Sequence, residues 1–434
     1  MEKTKLSKKF WTALWIFSLT GQIAWVVENM YFNVFIYKMF NASADAISLM
    51  VGASAVSATL TTVIIGALSD KIGKRKIFIS GGYILWGITI LSFAFIRTDM
   101  ISVMFPMAAS ASAVGVTLVI IMDCVMTFFG STANDACFNA WLTDMTDSTN
   151  RGSAEGVNSM MPLLAMLAVF GGFMSFDLSR AESWTTIYLI IGITVIVIGI
   201  LGIFLIEEKT EKKKENQNYF ANIVYGFRPS VIRENMMLYI TLISFALFGI
   251  SVQIFMPYLI LYYNVSLKME NYVIILAPAI LVGAVFTALY GRIYDKKGYK
   301  ISIVPTLVLL CVGYLVMFFA KKTLPVFVGS LLVICGYLAA TAVFGAMIRD
   351  CTPTGKAGMF QGLRIVGQVL IPGIIGPMIG AKVLQNAEKI VNDDGTTSFI
   401  PNENIFMAAL IAAFVLFVAL IVQFAIMKRK ENRE

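Results

Sequence analysis

Runs of apolar residues separated by short polar stretches recur from residue 11 to residue 427. A bilayer core needs roughly 20 consecutive apolar residues per helical span. The pattern predicts twelve such helices, near 11–38, 46–69, 77–96, 116–142, 157–176, 185–206, 236–262, 272–290, 301–320, 324–348, 365–384 and 404–427. The stretch 101–142 is too long for one span and marginal for two. We place Ile101 to about Gly115 in an external loop or a short re-entrant piece, with the fourth helix after it.

Positive charge fixes the expected orientation. Cytoplasmic loops of membrane proteins collect Lys and Arg. With both termini cytoplasmic, 26 of the 34 Lys and Arg fall in segments on that side. An even number of spans in a cell inner (cytoplasmic) membrane fits this count. The longest polar stretch, 207–235, contains Glu207-Glu208-Lys209-Thr210-Glu211 and three further lysines at 212–214. It divides an expected six-helix bundle at 1–206 from a second at 236–434.

Composition agrees. The chain is 58% hydrophobic and 14% charged, against about 25% charged in soluble domains. The net charge of +8 comes mostly from the inter-span segments, so it reads as topology and not as a nucleic-acid footprint. The first apolar run is too long for a signal-peptide core and has no small-residue cleavage site. Five cysteines (124, 137, 311, 335, 351) lack paired spacing and read as small buried side chains. The chain has no histidine, so proton handling falls to carboxylates. No metal-ligand cluster and no cofactor motif is present, and a membrane enzyme is disfavoured.

An internal repeat marks the two halves. Gly66, Asp70, Lys71, Gly73 and Arg75 recur at the same spacing as Gly291, Asp295, Lys296, Gly298 and Lys300. A second pattern follows each copy, Asp144 with Arg151 and Asp350 with Lys356. Parallel repeats of this kind build one large class of transporters.

With Lys74, the first copy resembles the signature loop between helices 2 and 3 of the major facilitator superfamily, and the second resembles its weaker echo. The resemblance implies an all-α membrane protein with twelve transmembrane helices in two pseudo-symmetric six-helix bundles. Within that superfamily the chain is most similar to the glycoside–pentoside–hexuronide:cation symporters, in the branch related to sucrose:proton symporters. Three runs carry this likeness: Gln22 to Tyr31, Ser69 to Ile79, and Asp135 to Asp144. The sequence departs from the family at Ala58 and Thr62, where sodium-coupled members carry paired Asp, and at Asn139, where the sucrose branch has a basic residue.

A carboxylate at mid-membrane costs ~2.5–3.5 kcal/mol on insertion scales and marks a site by default. Glu28 in helix 1 and Asp123 and Asp135 in helix 4 are such residues. They are the candidates for coupling a proton or sodium ion, with Asp135 or Glu28 binding a proton, because burial favours the neutral acid. In helix 4 the residues four apart read Asp123, Thr127, Ser131, Asp135, Asn139 and Thr143, a polar stripe that spirals by about 40° per step. It lines a cavity or acts as interhelical glue. Gln22, Trp25, Glu28, Asn29 and Asn139 are the candidate substrate-binding residues: amides and carboxylates suit hydroxyls, and Trp25 either stacks on a sugar or packs. The resemblance implies that helices 1 and 4 line a central cavity.

Asp70, Lys71 and Arg75, with Asp144 and Arg151, and Asp295, Lys296 and Asp350 in the second half, are candidate gates on the cytoplasmic side; the basic residues also set topology. Prolines 162, 257, 278, 305, 372 and 377 lie inside predicted helices and suit kinks. Arg364 and Gln368 either reach the cavity or anchor helix 11. The expected function is a monomeric secondary transporter in the lipid bilayer, a proton-coupled symporter of a sugar or glycoside. The alternatives are a drug or metabolite exporter and a lysolipid transporter.

Overall fold

The computed structural model describes residues 5–107, 110–147, 149–208, 225–353, 357–392 and 397–431. The described chain is almost wholly helical. Its long helices are α1 (Lys8–Phe40), α2 (Ala44–Ile72), α3 (Arg75–Phe95), α4 (Ala111–Met145), α5 (Arg151–Phe173) and α6 (Ala181–Leu205). Then come α7 (Met236–Ser266), the continuous stretch Val273–Phe319, α10 (Thr323–Cys351), α11 (Gly362–Leu384) and α12 (Asn404–Glu431). Eleven of these helices are long and apolar enough to cross a membrane.

The 47-residue stretch resolves into two. At 1.5 Å per residue it would be about 70 Å long, more than twice the roughly 30 Å hydrocarbon core. Gly298 breaks it with φ 70° and ψ −177°, giving α8 (273–297) and α9 (299–319) and a total of twelve spans. Gly73, at the matching place in the first loop, has φ 67°. Only glycine occupies that left-handed region without steric cost. The repeated glycines thus share a positive φ.

Two boundaries differ from expectation. The fourth helix begins at Ala111, not near 116. Residues placed in a loop or re-entrant piece include a short helix, Thr98–Met104, preceded by an extended Arg97. Lys356 and 209–224, most of the expected linker, lie outside the described residues. A small hairpin, β1 (Lys389–Val391) against β2 (Thr397–Phe399), precedes α12.

The chain divides into two compact units, residues 1–42 with 53–223, and residues 43–52 with 224–434. Lipid gives helices no hydrophobic reason to associate, so close packing of small residues carries the contact. In the first unit a Cβ on Gly87 of α3 would lie 2.7 Å from the Gly192 carbonyl of α6. In the second, a Cβ on Gly336 of α10 would lie 2.6 Å from the Leu310 nitrogen of α9.

The helices are not uniform α-helix. π-helical turns occupy 27–31 in α1, 131–138 in α4, 262–266 in α7 and 366–370 in α11. Such turns insert a residue into the ladder and re-aim side chains. Pro257 lies in a 3₁₀ turn, Met256–Tyr258, within α7, and Pro372 lies two residues after the π turn of α11.

Candidate functional site

The π turn of α1 carries Glu28, buried with 6% exposure. Its Oε1 accepts hydrogen bonds of 2.8 Å from both the Ser54 hydroxyl of α2 and the Thr127 hydroxyl of α4. Ser54 and Thr127 Oγ atoms are themselves 2.8 Å apart. Three helices therefore meet at one carboxylate oxygen. The other oxygen, Oε2, is buried with no partner among the described residues. Asp123, 2% exposed and one turn before Thr127, lies within electrostatic range of Glu28, and its Oδ1 is also unpartnered. The Tyr188 hydroxyl of α6, buried and unpartnered, interacts electrostatically with Asp123. Buried acceptors without a donor are costly in any protein. Here two carboxylates and a phenol share one buried neighbourhood.

Asp135 stands a few turns away in the π turn of α4, half-buried, accepting 2.9 Å from Ser131 Oγ. Beside it is a residue the stripe did not include. Asn134 Oδ1 accepts from Trp25 Nε1 at 3.3 Å, while its Nδ2 donates to the Tyr83 hydroxyl at 2.8 Å, and Tyr83 donates to the Phe17 carbonyl at 2.7 Å. This relay ties α1, α3 and α4 together. An i, i+4 count misses Asn134 because the π turn changes the residues per turn.

The other candidates divide. Trp25 packs 5.0 Å from Trp86 at 46° and is anchored through Asn134, which is a packing environment on at least one face. Gln22 is half-buried. Asn29 and Asn139 are exposed, and each folds its amide back on its own helix, onto the carbonyls of Trp25 and Asp135. The structure brings Glu28 and Asp123 together and leaves the two asparagines on their own helix surfaces.

At the opposite end of the unit the first signature loop closes on itself. Arg75 begins α3, where Nη2 donates to Asp70, Nη1 to Ser69 Oγ, and Nε to Asp144 Oδ2 at 3.2 Å. Asp144 is thus matched with Arg75. Arg151, which sequence spacing had paired with it, instead donates to the Thr143 carbonyl at 3.1 Å and to the Thr146 carbonyl and hydroxyl at 3.2 Å. That is the role of a cap on the end of α4, whose last carbonyls lack helical partners. Lys71 is exposed. In the second loop Asp295 and Lys296 are exposed, and Asp350 accepts from the Tyr294 hydroxyl at 2.5 Å. Arg364 Nε donates to Gln368 Oε1 at 3.1 Å.

Twelve spans, a repeated loop with left-handed glycines at matching positions, and buried carboxylates inside one bundle describe a carrier. The family model of the Major Facilitator Superfamily matches residues 11–377. The chain belongs to that superfamily. Solved members share its fold. A bacterial homologue of the human lysosomal transporter Spinster, inward-facing and unoccupied, superposes with a TM-score of 0.69 at 15% identity over 97% of each chain. The nucleoside transporter NupG gives 0.68 at 14% identity, over 96% of this chain and 98% of that one. The xylose transporter XylE from E. coli gives 0.67 at 14% identity, over 94% and 96%. A comparison with curated protein sequences gives no match. At such identities the likeness establishes the fold and leaves the cargo open. Within this facilitator fold, no group of three or more metal-binding side chains occurs among the described residues.

Proposed function

We propose that this facilitator is a proton-coupled symporter of a sugar or glycoside, working by alternating access, with Glu28, Asp123 and Asp135 as its ion-handling carboxylates. The observation that carries the reading is the pair of buried, unpartnered carboxylate oxygens, Glu28 Oε2 and Asp123 Oδ1, in one neighbourhood. Two adjacent carboxylates in a low-dielectric bundle cannot both remain ionised without a counter-charge. A proton supplies that charge, and Ser54 and Thr127 hold the Glu28 carboxyl in place whichever state it adopts. Asp135, nearer the exposed Asn139 end of α4, serves as the second station. The Gln22–Asn29 face of α1 and Asn139 are the hydroxyl-recognising groups in this reading. The branch likeness to glycoside:cation symporters supports sugar over the exporter and lysolipid alternatives, and the position of Ala58 and Thr62 supports proton over sodium. The Arg75–Asp70–Asp144 cluster is the gate.

The test uses purified protein in proteoliposomes, screened with sugars, glycosides, nucleosides and lysolipids under an imposed pH gradient. A sugar or glycoside accumulating only with the gradient is the expected result. Asp135→Asn should abolish that uphill uptake while sparing counterflow exchange. Undiminished uphill uptake by this variant removes Asp135 from the coupling role.

A further inference from the structure

A cavity of about 260 Å³ opens where the end of α1, the end of α3 and the start of α6 meet. Successive spans run antiparallel, so these three ends share one membrane face. Its floor is aromatic and aliphatic: Phe35, Phe93, Ile96 and Trp184 are all buried. Its rim is ionic. Arg97 Nε donates to Asp99 Oδ1 at 3.1 Å, and Nη2 lies 3.9 Å from Glu182 Oε1, while Glu182 Oε2 is 3.8 Å from Arg180 Nε. The hydrogen bond from Arg97 holds the Asp99 carboxyl below its ordinary range, so it stays an anion. Arginine offers five donors, and Nη1 is not among the atoms these contacts use. Arg97 and Asp99 line the cavity mouth, and Glu182 and Arg180, next to the lining residue Ala181, continue the row of alternating charge just beyond it.

Beside it, the short helix Thr98–Met104 buries only Ile101. Val103 is 80% exposed and Met107 97%, with Met104 and Phe105 exposed between them. Apolar side chains presented at a helix end, next to a Trp whose Nε1 is hydrogen-bonded to a backbone carbonyl (Leu178, 2.9 Å), are the features of a headgroup-level surface. The cavity is smaller than the ~300–1,000 Å³ that encloses a whole small molecule. It suits one end of an amphiphile.

We propose that this corner binds a phospholipid whose headgroup is a primary ammonium, such as phosphatidylethanolamine. The phosphate lies against Arg97, the ammonium N–H groups donate to Asp99 and Glu182, and the glycerol end of the acyl chains enters the cavity. A quaternary headgroup has no N–H to donate, and a phosphatidylglycerol headgroup has no cation for the two acids. The site is separate from Glu28 and Asp123 and does not depend on the transported cargo.

Native mass spectrometry of the detergent-purified full chain tests this, with equimolar phosphatidylethanolamine, phosphatidylcholine and phosphatidylglycerol of matched acyl chains. Retention of phosphatidylethanolamine several-fold above the other two is expected, and equal retention overturns the proposal. Asp99→Asn with Glu182→Gln leaves the cations in place and should shift the preference to phosphatidylglycerol; an unchanged profile overturns the proposal. Arg97→Ala should lose the preference, and Arg97→Lys, which keeps the charge, should retain part of it. If Arg97→Ala retains lipid like the parent chain, Arg97 is not the phosphate contact and the proposal fails.

Discussion

The buried polar groups of the two units differ in kind. In the first, carboxylates sit inside the bundle, and two of their oxygens have no donor. In the second, no span carries an Asp or Glu more than a turn from its ends. Its interior amide, Gln423 of α12, is 0% exposed and fully engaged: Nε2 donates to Thr241 at 2.9 Å, and Oε1 accepts from Ser244 at 2.9 Å and Tyr299 at 3.3 Å. The Ser251 hydroxyl likewise donates to the Ala409 carbonyl at 2.7 Å, with the Tyr314 hydroxyl 3.3 Å from its oxygen. Around Gln423 and Ser251 the polar residues of the second unit satisfy one another and act as glue between helices, while the Tyr262 and Thr287 hydroxyls are buried without a partner among the described residues. In the first unit it is carboxylate acceptors that stay open. A bundle repeated in backbone has concentrated its ionisable chemistry in one half, which is where proton handling belongs in our reading.

The largest effect that could break this contrast comes from neutralising the open acceptors. Glu28→Gln and Asp123→Asn should each abolish gradient-driven accumulation while leaving the protein folded. Removing a buried carboxylate in favour of its amide isostere takes away a charge without a partner, so melting temperatures equal to or above that of the parent are expected. A variant that melts lower yet still accumulates cargo would show that Glu28 is structural, like Gln423.

Packing substitutions come next. Gly380→Ala in α11 would put a Cβ 2.3 Å from the Ile254 carbonyl of α7, a backbone atom that cannot step aside. Overpacking of this kind costs typically ~1–3 kcal/mol. Gly21→Ala meets the Asn134 side chain instead, at 2.2 Å. It should cost less in unfolding assays, because that side chain can move, but it should disturb the Trp25–Asn134–Tyr83 relay. Equal losses at both positions would mean the Asn134 amide is as rigid as a backbone carbonyl.

Gln423→Leu takes the acceptor away from Ser244 and Tyr299, while Thr241 keeps its bond to the Met237 carbonyl at 2.8 Å, and leaving buried polar groups without partners costs roughly 1–3 kcal/mol. Its melting temperature should drop while the pH response of transport stays unchanged. A shifted pH response would place proton handling in the second unit after all. The smallest stability effects belong to the loops. Arg75→Ala loses contacts to Asp70, Ser69 and Asp144; the two acids are half-exposed at 44% and 51%, and the Arg75 side chain is 14% exposed. Ion pairs whose acids are open to water lie near the ~0–1 kcal/mol of surface pairs, so its cost should be modest, yet transport rate should fall if the loop is a gate. Lys296→Ala, at the exposed position of the second loop that matches Lys71, should stay within about 0.5 kcal/mol of the parent. Equal transport defects in both variants would make the two loops equivalent, which their contacts are not.

Spans, their number and their repeat were legible along the chain, because a membrane demands long apolar runs and a left-handed turn demands glycine. The carboxylates at 28, 123 and 135 announced themselves for the same reason: charge in an apolar run is rare. Their partners were hidden. Ser54 lies among small residues (Gly52, Ala53, Ala55) and gives no periodic signal, and Asn134 fell off a stripe counted for an ideal α-helix. The pairing of Asp144 with Arg75 across 69 residues, in place of the nearby Arg151, also had no local cue.

Sequence alone determined the membrane class, the twelve apolar segments and which residues carry charge inside them, since each follows from composition over a short window. Tertiary structure decided which oxygens are satisfied and which stay open. That depends on side chains from α1, α2, α4 and α6 arriving at one point, and on the π turn that carries Glu28, neither of which a one-dimensional period encodes.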